Sequence, residues 1–331
     1  MRHARRLRPS LISALAVVCT LSLSGCATTG DRGQPLVPTR FQTRSGPFVV
    51  FTNDPIPADS TVVRRLQALE TEFQTTLKVD LGKVEPPIEV YILADRKSFE
   101  HFLTFYYPEL PQRRAFFLAQ GDRRVIYAYQ SERLEVDLRH EATHALLSAS
   151  FGDLPLWVDE GLAEYFECPG KSGNNPENLG RLPGDLAEGW KPDLPRLEKL
   201  RQVKEMTPRD YRESWAWVHL MLNGPAEERT KFVDSLSRVG RKPSGDSVVL
   251  ASLLEESKPE GPPRLLAHLK TLLATPIVRA VPATNPNADR VIRLQGPGPE
   301  PLVRSSKPKA RKGIFAKVRE WFAGESESAD L

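Results

Sequence analysis

Leu138-Arg139-His140-Glu141-Ala142-Thr143-His144-Ala145-Leu146-Leu147, followed by Leu154-Pro155-Leu156-Trp157-Val158-Asp159-Glu160-Gly161-Leu162-Ala163-Glu164-Tyr165-Phe166-Glu167, is the stretch that decides the fold. Leu134, Leu138, Ala142, Ala145 and Leu146 recur at helical spacing, so the first half reads as a helix. Two histidines four apart on a helix project from one face, about one turn apart. Their imidazoles therefore reach one metal ion, and Glu141 reaches a water beside it. Gly152-Asp153-Leu154-Pro155 ends this helix, and a second helical stretch presents Glu160, sixteen residues after His144. That is enough chain for a reversal that brings the second helix alongside the first. Zinc in hydrolytic sites takes three protein ligands, and two His with one Glu is an established set. His140, His144 and Glu160 are accordingly the candidate ligands of one Zn2+ ion, with Glu141 as general base. Glu164, one turn past Glu160, is placed to orient a ligand histidine. Asp159, Glu160 and Glu164 alone would read as a solvated helix face; beside the two histidines Glu160 reads as a ligand and Glu164 as support for a ligand histidine.

Working outward, residues 47–52 and 87–93 are rich in β-branched and aromatic side chains and read as strands. Val62, Leu66, Leu69, Phe73 and Leu77 mark an amphipathic helix between them, and Phe99, Phe102, Leu103 and Tyr106 mark a second. Residues 115–119 and 124–129 form an apolar pair around Gly121-Asp122, a hairpin whose Gly favours positive φ. Ser131 is the expected N-cap of the helix that carries the histidines. The rest, to about residue 275, reads as helices over 215–222, 225–239 and 263–273. Strand, helix, strand, helix, hairpin, then helices implies an α+β domain with a mixed sheet, spanning residues 47–275.

The chain has 331 residues and a formal net charge of +4. Arg2, Arg5, Arg6 and Arg8 account for all of that excess. From residue 276 onward ten Lys/Arg oppose six Asp/Glu, which leaves residues 26–275 at about −4. A net-negative body argues against a nucleic-acid partner. The four arginines precede an apolar run over residues 11–21 that is too short to span a membrane, so residues 1–25 read as an export signal. Three cysteines are present, Cys19, Cys26 and Cys168. Loss of Cys19 with the signal and modification of Cys26 would leave Cys168 alone, which excludes a disulfide framework and a thiolate zinc site.

Residues 26–46, rich in Thr, Gly, Arg and Pro, read as a tether. Residues 276–306 lack periodicity and read as a disordered Pro-rich linker. Residues 307–331 form a basic tail in which Ile314, Phe315, Val318, Trp321 and Phe322 share a helical face; it reads either as a helix lying on an anionic membrane or as a solvated tail.

Leu23-Ser24-Gly25-Cys26 resembles the bacterial lipobox, which implies a lipid anchor on Cys26 and a bacterial envelope location. Ala27 is not the Asp that would retain such a protein at the inner membrane, so the outer membrane, facing the periplasm, is preferred. Residues 140–147 followed by 154–167 resemble the gluzincin metallopeptidases, most closely the peptidase-MA-like families of bacterial envelope proteins. Trp157-Val158-Asp159-Glu160-Gly161 is also similar to the WLNEG segment of the zinc aminopeptidases, with Asp159 where that group has Asn. The similarity covers about residues 47–225, and only 138–167 carry it with specificity. It implies a zincin-like fold with a helical C-terminal subdomain, a peptide or protein substrate, and an edge strand bordering the active-site cleft, for which residues 124–129 are the candidate. It also implies an oxyanion donor from a downstream helix, with Tyr211 first and His219 second. His101 and His268 have no partner at ligand spacing. The function that follows is zinc-dependent peptide hydrolysis; the alternatives are a catalytically weak zincin-fold protein that binds envelope partners, and a structural lipoprotein acting through its tail.

Overall fold

The computed structural model of the protein describes residues 36–108, 110, 113–170, 172–240 and 261–274, and the backbone of 291–293. The expected signal, the expected lipidation site Cys26 and the tail lie outside the described residues, as do residues 26–35 of the tether and nearly all of the linker. The described parts of these two segments include two strands. Residues 41–45, inside the expected tether, form β1, and residues 291–293, inside the expected linker, form β6.

The domain is α+β, built on a mixed six-stranded sheet in the order β4-β5-β3-β2-β1-β6. The strands are β1 (Phe41–Ser45), β2 (Phe48–Thr52), β3 (Ile88–Leu93), β4 (Ala115–Gln120), β5 (Arg123–Tyr129) and β6 (Val291–Arg293). β2, β3 and β5 run parallel, whereas β4, β1 and β6 are each antiparallel to the neighbour they pair with. Helices cover both faces, which is why β2 and β3 are near-continuous apolar runs.

α1 (Thr61–Leu77) and α3 (Leu134–Ser150) lie over one face, where Phe48, Val50, Val90 and Ile126 point. α2 (Arg96–Tyr106) covers the other. There an aromatic row crosses four strands: Phe51 to Tyr91 at 4.8 Å, Tyr91 to Tyr127 at 5.4 Å and Tyr127 to Phe116 at 5.1 Å between ring centroids. Such cross-strand aromatic pairs add about 0.5–1.5 kcal/mol each beyond the area they bury.

The β4–β5 turn is the expected two-residue Gly121-Asp122 loop, with Gly121 at φ +60°. Sheet order corrects one expectation. Residues 124–129 are not an edge strand, because β5 lies between β4 and β3 and β4 is the edge. The reason is pairing: both strands are apolar on both faces, but β5 takes β3 on one side and β4 on the other, which leaves β4 outermost. A second correction concerns the start of α3. Arg133, not Ser131, is its N-cap position, and no side chain caps it. Ser131 contributes its backbone carbonyl, which accepts from the Leu134 N–H at 3.2 Å. Glu135 and Asp137 in the first turn favour the positive end of the helix dipole instead.

The remaining described helices are α4 (Leu156–Glu167), α5 (Pro176–Ala187), α6 (Leu194–Leu197), α7 (Pro208–Asn223), α8 (Ala226–Val239) and α9 (Gly261–Ala274). α4 packs between α3 and α7. Phe73 of α1 and Phe166 of α4 meet at 5.3 Å, which joins the helical layer to the sheet layer. Among the described residues no helix is long and apolar enough to cross a membrane.

Candidate metal centre

α3 brings His140, Glu141 and His144 into the interior; each is no more than 1% exposed. The chain then reverses through Gly152, at φ +79°, and Pro155 starts α4. α4 lies against α3 and places Glu160, fully buried, opposite the two imidazoles.

The resulting triangle is compact. His140 Nε2 and His144 Nε2 stand 3.1 Å apart, and each is 3.6 Å from Glu160 Oε2. Ligand atoms ~2.0–2.2 Å from one tetrahedral ion stand about 3.4 Å from each other. His140, His144 and Glu160 can therefore hold a metal ion. Among the described residues neither Glu160 oxygen has a donor at hydrogen-bond distance, the two imidazole nitrogens at 3.6 Å being ion-pair contacts. Burying a carboxylate so far from donors costs several kcal/mol unless a cation meets it. The donor set and this unmet carboxylate both fit a divalent ion.

Without metal, the protonation balance of the site is strongly displaced. Burial pulls the His144 pKa down, but Asp159 and Glu160 outweigh it and lift it to about 10. Burial raises the Glu160 carboxyl pKa, and the two histidines more than reverse this, holding it below the usual carboxylate range.

His144 has a carboxylate at its back, and two acids lie beside His140. His144 Nδ1 is 2.8 Å from Asp159 Oδ2. A ring nitrogen of His140 and one oxygen each of Glu164 and Glu167 lie within 4.8 Å of one another. Glu164 is thus beside His140, as its spacing on the helix suggests. Asp159 and Glu167 are additions to which the sequence alone assigned no role. Arg139, adjacent to His140 and 1% exposed, was also missed. Its Nε donates to the carbonyls of Phe166 at 2.9 Å and Glu167 at 3.2 Å, the exposed-carbonyl end of α4. Nη1 donates to the Arg65 carbonyl at 3.2 Å and Nη2 to Glu72 at 2.6 Å. Arg139 thereby locks the ends of the two site helices to α1. Arg114, just before β4, makes a two-point pair with the buried Asp137 at 2.7 and 2.9 Å, one turn before His140.

Tyr211 lies buried in the first turn of α7. A Cβ on Gly161 would come within 2.5 Å of the Ser214 carbonyl oxygen, so glycine permits α7 to pass against the Glu160-Gly161 step. Tyr211 is one turn before Ser214 on the same helix. His219 is not drawn to the metal cluster. Its Nε2 donates to Asn174 Oδ1 at 3.0 Å, and its Nδ1 accepts from His268 Nε2 at 2.8 Å. Burial, then the neighbouring His268, lowers its pKa to about 3, so it is neutral and this tautomer follows. His268, expected to lack a partner, has one on α7. Cys168, next to α4's last turn, is a partly buried free thiol whose pKa burial pushes up to about 12. No family model matches the chain, and no curated protein is significantly similar to it.

Proposed function

We infer that the chain is a zinc-dependent metallopeptidase with a zincin-like, gluzincin-type catalytic domain, anchored to the bacterial cell envelope through a lipid on Cys26. The observation that carries this reading is Glu160: a fully buried carboxylate with no donor at hydrogen-bond distance among the described residues, facing two imidazole nitrogens at 3.6 Å. Two His and one Glu match the ligand chemistry of hydrolytic zinc and leave room for a water.

His140, His144 and Glu160 would hold the ion. Zinc, when bound, supplies a Lewis acid that brings the pKa of a coordinated water toward neutrality. Glu141 takes a proton from the attacking water and later hands it to the leaving amine. Asp159 and Glu164 hold the two imidazoles in the tautomer that leaves Nε2 unprotonated toward Glu160. Tyr211 is the donor assigned to the developing oxyanion. An extended peptide adds to the outer edge of β4, where main-chain hydrogen bonds set its direction. That edge replaces the one the sequence suggested on residues 124–129.

The test compares wild type with Glu141→Gln on a pool of unstructured peptides. The expected result is zinc-dependent cleavage by wild type and a loss of about 10²–10⁴-fold in the variant, the usual contribution of a general base. Metal binding without cleavage by either protein would favour the partner-binding alternative.

A further inference from the structure

Asn175 caps α5 and, with the same side chain, reaches the buried acids beside His140. Its Oδ1 accepts from the N–H groups of Glu177 at 3.0 Å and Asn178 at 3.2 Å. Its Nδ2 donates to Glu164 Oε2 at 3.0 Å and to Glu167 Oε2 at 3.1 Å. Asn178 Nδ2 adds a third bond, to the same Glu164 oxygen, at 3.1 Å. Asn175, Glu164 and Glu167 are each no more than 3% exposed. Two carboxylates this close repel in a medium of low dielectric, and an amide that donates to both offsets that repulsion without adding charge.

The loop carrying Asn175 is itself held in place from α7. Asn223 Nδ2 donates to the Ser172 carbonyl at 3.1 Å, Trp215 Nε1 to the Gly173 carbonyl at 2.9 Å, and His219 Nε2 to Asn174 at 3.0 Å. Residues 215, 219 and 223 form one stripe of the helix, so consecutive loop residues are pinned by consecutive turns. The rotamer of Asn175 is therefore set before any metal arrives.

We propose that Asn175 is a positioning residue of the metal centre: its amide fixes Glu164 and Glu167, and through Glu164 it fixes the ring of His140. This rests on the zinc reading above. It assigns a metal-affinity role to a residue outside the two helices that carry the ligand triangle. Partners that orient a ligand imidazole in this way typically change metal affinity about 10- to 100-fold.

The cap and the clasp are separable. Serine retains an oxygen for the α5 cap but has no amide that spans two carboxylates; aspartate retains the cap and adds a third negative charge. The experiment measures the zinc dissociation constant of the full chain, purified in detergent, by competition with a chromophoric chelator. Wild type is compared with Asn175→Ser, Asn175→Asp and Ser60→Ala. Ser60 caps the remote α1, accepting from the Val63 N–H at 3.3 Å, and reports on general destabilisation. The expected result is zinc bound about 10- to 100-fold more weakly by Asn175→Ser, still weaker binding by Asn175→Asp, and wild-type affinity in Ser60→Ala despite a lower melting temperature. Wild-type affinity in a folded Asn175→Ser, or equal weakening in Ser60→Ala, overturns this inference alone. A wild-type chain with no zinc affinity overturns both it and the reading beneath it.

Discussion

Asp159 Oδ2 lies 2.8 Å from His144 Nδ1, and both side chains are at most 1% exposed. The neighbouring residue, Glu160, faces the other side of the same imidazole. One step along α4 thus supplies a carboxylate to the metal side of His144 and another to its back. An orienting carboxylate fixes the tautomer and raises the basicity of the ligand nitrogen. Asp159→Ala should therefore weaken zinc binding about 10- to 100-fold, and Asp159→Asn, which keeps an acceptor for Nδ1–H, should weaken it less. Chelator competition measures both; equal affinities for the two variants would mean that the contact does not orient His144.

Gly161 sets the distance between α4 and α7. A Cβ there would stand 2.5 Å from the Ser214 carbonyl oxygen and 2.8 Å from Val218 Cγ2, and the backbone atom cannot yield as a side chain can. Gly161→Val should cost about 1–3 kcal/mol through overpacking, read from urea denaturation with the m-value unchanged. A neutral outcome would show that the two helices part freely at this step.

The His219–His268 pair makes stability fall in acid. The folded-state pKa of His219 is lowered to about 3, so below the ordinary histidine value the unfolded chain binds the proton that the folded chain refuses. The associated stability is fully present above about pH 6.5 and drains away as the pH falls toward about 3. His219→Gln should flatten that slope. Urea denaturation of both proteins at pH 7.5 and pH 4.5 checks this, and parallel losses in the two would rule the pair out as the cause.

The metal triangle was legible because helical spacing is a local property: residues 140, 144 and 160 could be placed from periodicity and one turn. The hairpin was legible from Gly121 for the same reason. Sheet order was not. β4 and β5 are both apolar, and only their pairing with β3 decides which becomes the edge. β1 escaped notice because Thr43 and Ser45, not apolar residues, are its inward-facing pair. α5 was hidden by Pro183 inside it and by Gly180 and Gly184. Asp159, Glu167 and Asn175 read as ordinary polar residues because their partners lie on other elements. The signal was faintly present at Asp159, next to the candidate ligand Glu160 and in place of an Asn.

The central claim is that His140, His144 and Glu160 form one zinc site. Elemental analysis of the chain purified in detergent, without added metal, tests it most directly, with His144→Ala alongside. The expected result is close to one zinc per wild-type chain and none in the folded variant. A folded wild-type chain that carries no zinc and takes up none on titration would contradict the account.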